Sequence, residues 1–255
     1  MTSPIELIPI PNLPSVRPGD DLAGLLIEAS GTASIDFRAR DVLVVAQKIV
    51  SKAEDRLVDL RAIVPSAQAL ELAARTNKDP RLVQVVLSES REVLRAAPNA
   101  LIVEHRLGFV CANAGVDQSN ADGADSEDWA LLLPFDPDAS AQRLRAAVEQ
   151  RYGVPVAVIV NDSHGRTWRF GSVGVAIGVA GLRPVSDLRG RPDRSGRLLQ
   201  ITEVGTADEI AAAASLAMGQ AAEGTPAVIV RGANYMAGEA RLADMLRPKA
   251  MDLFR

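Results

Sequence analysis

Cysteine, histidine and aromatic residues are scarce in this chain, and each shortage removes a class of answers. Cys111 is the single cysteine, so no internal disulfide can form and nothing marks an oxidising compartment. His105 and His164 are the only histidines, and no H-x-x-x-H or C-x-x-C pattern suggests zinc. Aromatics make up 4% of residues, which leaves the core to Ala, Val, Leu and Ile and disfavours an aromatic-rich sandwich. There is no Gly-Lys pair, hence no Walker-type phosphate loop. Gly171, Gly174, Gly178 and Gly181 do not match G-x-G-x-x-G and read as sites of close packing. No G-x-S-x-G elbow accompanies either histidine, so a Ser/His/Asp triad has no frame, and neither histidine has an evident orienting partner. Runs of Lys or Arg are missing and the formal net charge is −4, which argues against nucleic acid and anionic membrane partners. The longest uncharged apolar run, 173–182, falls well short of the roughly 20 residues of a bilayer span. Residues 1–14 hold Glu6 and four prolines, not the basic-then-apolar order of a signal peptide. A cytoplasmic protein is expected.

What is present is ordinary for a globular chain: 47% hydrophobic and 24% charged residues over 255 positions. Apolar runs at 42–46, 155–160 and 227–230 read as buried strands, with 100–103 a weaker fourth. Helical periodicity is predicted at 66–75, 80–94, 140–152 and 207–220. Ser140 is a reasonable start for the third and Gly153 its stop, while Asp208 and Glu209 suit the first turn of the fourth. Alternating strands and helices predict α/β architecture. The polar stretch 113–129 reads as a long loop. One domain spanning 1–255 is expected, with a weak break near residue 100 as the one candidate subdomain boundary.

Four segments carry candidate chemistry. The strand at 155–160 runs into Asn161, Asp162, Ser163, His164, Gly165 and Arg166, a polar turn at a strand's carboxyl end, where α/β proteins bind ligands. Asp162 and Ser163 offer oxygens to a hard cation, and Arg166 and Arg169 can neutralise phosphate. The same residues equally describe an Asp-Ser turn that bonds its own backbone. Asp117, Ser119 and Asn120 cluster oxygen donors in the polar loop, as any Asx-rich turn does. Gln47, Lys48 and Lys52 follow the first strand; were the strand to continue, alternation would send Lys48 and Lys52 to one face, where they suit polyphosphate or solvent. Finally, Met218, Gly219, Gln220, Ala221, Ala222, Glu223, Gly224 and Thr225 form a small-residue stretch after a helix, open to a ligand's close approach or simply a helix cap and turn. Cys111, set among Gly108, Phe109, Val110 and Ala112, reads as a small core residue, not a nucleophile.

Taken in order, the segments 8–14, 18–22, 47–54, 106–120, 131–138, 162–171, 206–210 and 226–232 resemble the coenzyme F420:γ-glutamyl ligase family. The ordered set is specific although no single piece is. The resemblance implies an intertwined α/β homodimer of mixed sheets with flanking helices and two subdomains. It also implies a GTP-dependent reaction that joins L-glutamate to the F420 precursor through an acyl phosphate, and then adds a γ-linked glutamate. Asp117, Asp162, Ser163 and Gln220 fall where the family holds its divalent metals, Mg²⁺ or Mn²⁺, with a monovalent cation such as K⁺ as a further expectation. Leu13, Pro14, Ser15, Val16, Gln47, Lys48, Lys52, Asn120 and residues 218–225 fall where it holds the guanine nucleotide. His164, Arg166 and Arg169 are candidates for substrate or phosphate contact, and no covalent nucleophile is expected. Some members carry a fused C-terminal reductase-like domain; none is expected within 1–255. The family's usual Thr-Asp-Thr is Asn161-Asp162-Ser163 here, which keeps the hydroxyl, and its usual Ala-Glu-Gly-Arg is Ala53-Glu54-Asp55-Arg56, where Asp tolerates a left-handed turn. Asn161 and His164 leave open a paralogous amide ligase for another carboxylic acid. A catalytically silent nucleotide- or metal-binding paralogue is the remaining alternative.

Overall fold

The apolar runs become the central strands of one mixed sheet in the computed structural model, which describes residues 4–118 and 128–253. Strand β1 is Glu6–Pro9, helix α1 Leu22–Thr32, β2 Val42–Ala46 and α2 Gln47–Ala53. There follow β3 (Leu57–Asp59), α3 (Ala67–Thr76), α4 (Pro80–Ser88), β4 (Ser90–Ala97), β5 (Ala100–His105) and β6 (Val110–Ala112). The second half holds β7 (Trp129–Leu131), α5 (Pro137–Tyr152), β8 (Ala157–Arg166), β9 (Arg169–Ala180), β10 (Ser186–Asp187), β11 (Glu203–Val204), α6 (Thr206–Met218) and β12 (Ala227–Arg231). The main sheet runs β1-β12-β2-β8-β9, and within it only β2 and β8 are parallel.

Both faces of this sheet are covered, which is why its inner strands are continuous apolar runs and not alternating ones. Leu43, Val45, Val158, Val160 and Ile229 meet Leu26, Leu144 and Val148 of α1 and α5 on one side. Val42, Val44, Ile159, Val228 and Val230 meet Ile210, Ala211 and Ala214 of α6 on the other. A second sheet, β4-β5-β6, is backed by α3 and α4 through Leu72, Val83, Val86, Leu101 and Val103. Strands β3 and β7 pair beside it over Leu60, Leu82 and Leu132. This is the expected α/β class of mixed sheets with flanking helices.

Four local expectations change. The helix predicted over 80–94 ends at Ser88, and 90–97 is strand β4. Ser88 and Ser90 turn their hydroxyls back onto the carbonyls of Val85 and Val86, and pairing of Val93 with Val103 overrides helical periodicity. Residues 47–53 form a helix, so the conditional strand alternation fails; Lys48 and Lys52 share a face because they are four apart on α2. The polar segment 161–166 is no turn but the outer half of β8, paired with β9. Helix α5 begins at Pro137, ahead of Ser140, because the Asp136 side chain caps it by accepting from the Ala139 amide and proline suits the first turn. Asp55 does take the left-handed conformation, with φ of 54°.

The chain beyond β12 folds back over both sheets. Asp138 accepts from the Val179 amide at 2.9 Å and from the Leu242 amide at 3.0 Å. Farther on, Lys249 pairs with Glu92 of β4 at 2.7 Å, and Leu246 lies against Gly108 so closely that a Cβ there would sit 2.9 Å from its methyl. Of the four glycines noted for packing, Gly171 has nothing within 4 Å of the position a Cβ would take, whereas Gly174 is wedged under α6. A Cβ at Gly174 would meet Ser215 Oγ at 2.0 Å, Asn161 Oδ1 at 2.6 Å and the Ala211 carbonyl at 2.7 Å. Gly174→Ala is therefore expected to destabilise the protein by about 2–3 kcal/mol in chemical denaturation; an unchanged midpoint would contradict this packing of α6 on β9.

Candidate active site

The parallel register of β2 with β8 sets Ala46 opposite Asn161, so the residues that follow β2 emerge beside the outer half of β8. A cavity of about 870 Å³ opens there, at the carboxyl end of β2 and beside the outer half of β8. Into it converge Leu13, Pro14, Ser15 and Val16 from the segment after β1, Gln47, Lys48 and Lys52 from α2, and Asp117 from the loop after β6. Asp162, Ser163, His164 and Arg166 come from β8, Met218 from the end of α6, and Gly219, Gln220, Ala221, Glu223, Gly224 and Thr225 from the segment after it. A bulge between Val160 and Asn161 interrupts the pairing just where the strand passes from core to cavity.

Each polar group is held by a local contact. Asp117 and Leu131 exchange both backbone hydrogen bonds, at 3.0 and 2.8 Å, and this fixes the Asp117 backbone against β7. Its carboxylate meets Lys48 Nζ at 2.5 Å. Ser163 Oγ donates to Gln220 Oε1 at 2.7 Å, which ties β8 to the loop after α6. His164 Nε2 lies 3.0 Å from Asp162 Oδ2, so this histidine does have a partner, contrary to expectation. Buried Gln47 accepts from Ser51 Oγ at 2.9 Å one turn along α2. Gly219, with φ 72° and ψ −177°, adopts a conformation essentially closed to other residues, and Glu223 folds back to accept from the Ala221 amide at 2.8 Å.

Two of the sequence candidates do not line this cavity: Arg169, which opens β9, and Ala222, in the segment after α6. Asn120 and Ser119 lie outside the described residues. The wall that sequence reasoning missed is the hairpin β5–β6, which contributes Ile102, Val110, Cys111 and Ala112. Its trace in the sequence is the weak apolar run at 100–103, which gives no sign of what the hairpin faces. Burial, joined by the charge of Asp162, pushes the Cys111 thiol up to about 12, so it is a wall residue and not a thiolate.

The family model for F420-0:gamma-glutamyl ligase matches residues 11–232. The chain belongs to that family. It is 46% identical over 98% of its length, and 99% of the relative's, to a protein named coenzyme F420:L-glutamate ligase in Methanothermobacter thermautotrophicus. Proteins of the same name in Methanopyrus kandleri and Archaeoglobus fulgidus are 46% and 43% identical, each over 98% of this chain and over 98% and 96% of their own lengths. Membership makes this protein a ligase. As a gamma-glutamyl ligase it presents two carboxylates, a hydroxyl and an amide oxygen in one cavity, an all-oxygen set that fits a hard divalent cation. Among the described residues no group of three or more His, Cys, Asp or Glu that could hold a metal ion occurs, so a cation here would need the hydroxyl and amide oxygens beside the carboxylates. No described helix is long and apolar enough to cross a membrane.

Behind the hairpin wall this ligase buries an ion cluster. Glu89, between α4 and β4, accepts from Arg106 Nε at 2.7 Å, pairs with Arg56 at 3.0 Å and faces His105 Nε2 at 3.6 Å. Arg56 and Arg106 also donate to the carbonyls of Leu133 and Phe135, which pins the chain entering α5. Burial pushes the Glu89 carboxyl up, but His105, Arg106 and the Arg56 charge outweigh it and hold it at about 2, below its ordinary 4.5. A depressed carboxyl stabilises the fold above its unfolded value and loses that contribution as pH falls through its folded one. Glu89→Gln is thus expected to cost about 2 kcal/mol above pH 4.5, after allowance for solvent screening, and the gap to wild type should close as pH falls toward about 2. Denaturant midpoints measured across that range test this; a gap independent of pH would show that the charge is not the source.

Proposed function

We propose that this ligase joins L-glutamate to the terminal carboxylate of the F420 precursor at the expense of GTP, and then adds a second glutamate through its γ-carboxylate. What supports the reading is the near end-to-end likeness to coenzyme F420:L-glutamate ligases, together with the convergence of their expected site residues on one cavity. The precursor carboxylate attacks the γ-phosphorus of GTP and GDP leaves, which gives an acyl phosphate. The amine of glutamate then attacks the acyl carbon, loses a proton, and phosphate leaves as the amide forms. A divalent cation, Mg²⁺ or Mn²⁺, held by Asp117, Asp162, Ser163 and Gln220 would supply charge against the triphosphate.

The chain's own residues have defined tasks in this reaction. Lys48 and Lys52, one turn apart on α2, offset the repulsion between the substrate carboxylate and the nucleotide phosphates. Gly219 and Gly224 let the backbone of the loop after α6 approach the nucleotide. Bringing two anions together in line supplies about 7–11 kcal/mol of the barrier without any enzyme nucleophile. Cys111, held as a neutral thiol, agrees with that absence. We further propose a homodimer; Trp168 and Phe170, 87% and 104% exposed around the β8–β9 turn, supply apolar surface suited to a second copy.

Phosphate release measured with F420 precursor plus glutamate, and with each alone, tests the overall reading. Full release is expected only with both; full release with a different carboxylic acid identifies a paralogous ligase, and none with any acid a silent one. With γ-labelled GTP, label is expected on a small molecule and only when the precursor is present. Stoichiometric label on the polypeptide that chases into product, or loss of activity in well-folded Cys111→Ala, would overturn the acyl phosphate route.

Asp162→Asn is expected to fold normally and lose at least about 10³ in turnover, since a charge at the phosphoryl site contributes several kcal/mol. Near wild-type turnover at saturating Mg²⁺ or Mn²⁺ would remove Asp162 from the site. Lys52→Ala should raise the apparent KM for GTP; a change confined to glutamate or to the precursor would show that this lysine faces a different substrate.

A further inference from the structure

A row of three rings connects the buried ion cluster to the cavity. His105 is fully buried, and its Nδ1 accepts from the Leu107 amide at 3.0 Å, which leaves the ring proton on Nε2, the nitrogen facing Glu89 at 3.6 Å. The imidazole stacks on Phe109 with centroids 5.1 Å apart and planes only 8° from parallel. Phe109 in turn lies 5.3 Å from the ring of His164, tilted by 43°. His164 closes the row with Nε2 at 3.0 Å from Asp162 Oδ2. The His164 and Asp162 side chains are 16% and 13% exposed, so the contact sits inside the cavity wall and not at the surface.

Asp162 has two carboxylate oxygens and two rotatable bonds, so its orientation depends on what its side chain meets. The nitrogen that faces a carboxylate oxygen donates, so His164 claims Oδ2 and leaves Oδ1 to a ligand. A single hydrogen bond to a free-swinging imidazole would fix little. Packing against Phe109, itself stacked on a buried histidine, takes that freedom away.

We propose that His164 is a positioning residue for Asp162, and that Phe109 and His105 act through it by holding its ring in place. The hairpin β5–β6 thereby sets the geometry of a carboxylate that belongs to the other sheet. The proposal rests on Asp162 being a ligand for a divalent cation, as read above. Partners that orient a ligating group in this way typically carry 10- to 100-fold in metal affinity or activity.

Mn²⁺ binding to the substrate-free protein, followed by electron paramagnetic resonance, is the first readout; the steady-state constants are the second. His164→Phe keeps a ring against Phe109 but cannot donate to Asp162. His164→Gln keeps a donor and gives up the ring. Phe109→Leu leaves His164 intact and removes the face it packs on. Thermal midpoints establish that all three fold.

His164→Phe is expected to bind Mn²⁺ about tenfold or more weakly and to lose kcat with the KM for GTP within twofold of wild type. His164→Gln should stay within threefold of wild type in Mn²⁺ affinity, and Phe109→Leu should fall between the two. His164→Phe binding Mn²⁺ within twofold of wild type, or His164→Gln binding no better than His164→Phe, would overturn the proposal while leaving Asp162 as a ligand. A wild-type protein that binds no Mn²⁺ would instead remove the metal reading of Asp162, and the positioning role with it.

Discussion

Everything at the site follows from one pairing: β2 beside β8, parallel, with Val42 to Ala46 matched to Ala157 to Asn161. Antiparallel neighbours place the end of one strand beside the beginning of the next. A parallel pair instead brings two strand ends to the same edge, so α2 with its lysines starts where β8 begins to present Asp162. The pair is held by apolar burial on both faces, from α1 and α5 on one side and α6 on the other, and the polar contacts of the cavity add little to that hold. The rigid and the chemical parts of the molecule are therefore successive stretches of the same strands.

The strands β2, β8 and β12 were legible in the sequence because two-sided burial writes itself as unbroken Val and Ile. The cavity residues from α2, β8 and the loop after α6 were legible only through family resemblance, since lysines, an Asp-Ser pair and small residues each have an ordinary surface reading. What stayed hidden came from contacts between distant segments. The first part of β4, residues 90–94, carries a helical period because Val93 fits that period as well as it fits pairing with Val103 of β5. The outer half of β8 was read as a turn because its partner β9 returns from the far side of Trp168, and local composition carries no trace of that ladder. Phe109 and Glu89 were invisible as histidine partners for the same reason, since they lie in other elements; Asp162 comes to the same side as His164 only because 161–166 is a strand and not a turn.

Two sheets of different size meet at this cavity, and they are joined in different ways. The main sheet contributes through backbone position, with Asn161 fixed opposite Ala46. The smaller sheet contributes through side chains, with an apolar wall at Ile102 and Val110 and a charged anchor at Glu89 behind it. Arg56 and Arg106 each bridge Glu89 to backbone carbonyls before α5, so the same cluster fixes the entrance of the helix that covers the main sheet. Loss of that cluster would thus loosen a wall and a layer together.

The segment after β12 runs from the main sheet to the smaller one, and its contacts include the Asp138 carboxylate under Leu242, the methyl of Leu246 against Gly108, and Lys249 on Glu92. Gly108 precedes Phe109, whose ring faces the cavity side of the hairpin. A change in the backbone around Leu246 and Lys249 is therefore passed through Gly108 and Glu92 to the hairpin that walls the cavity.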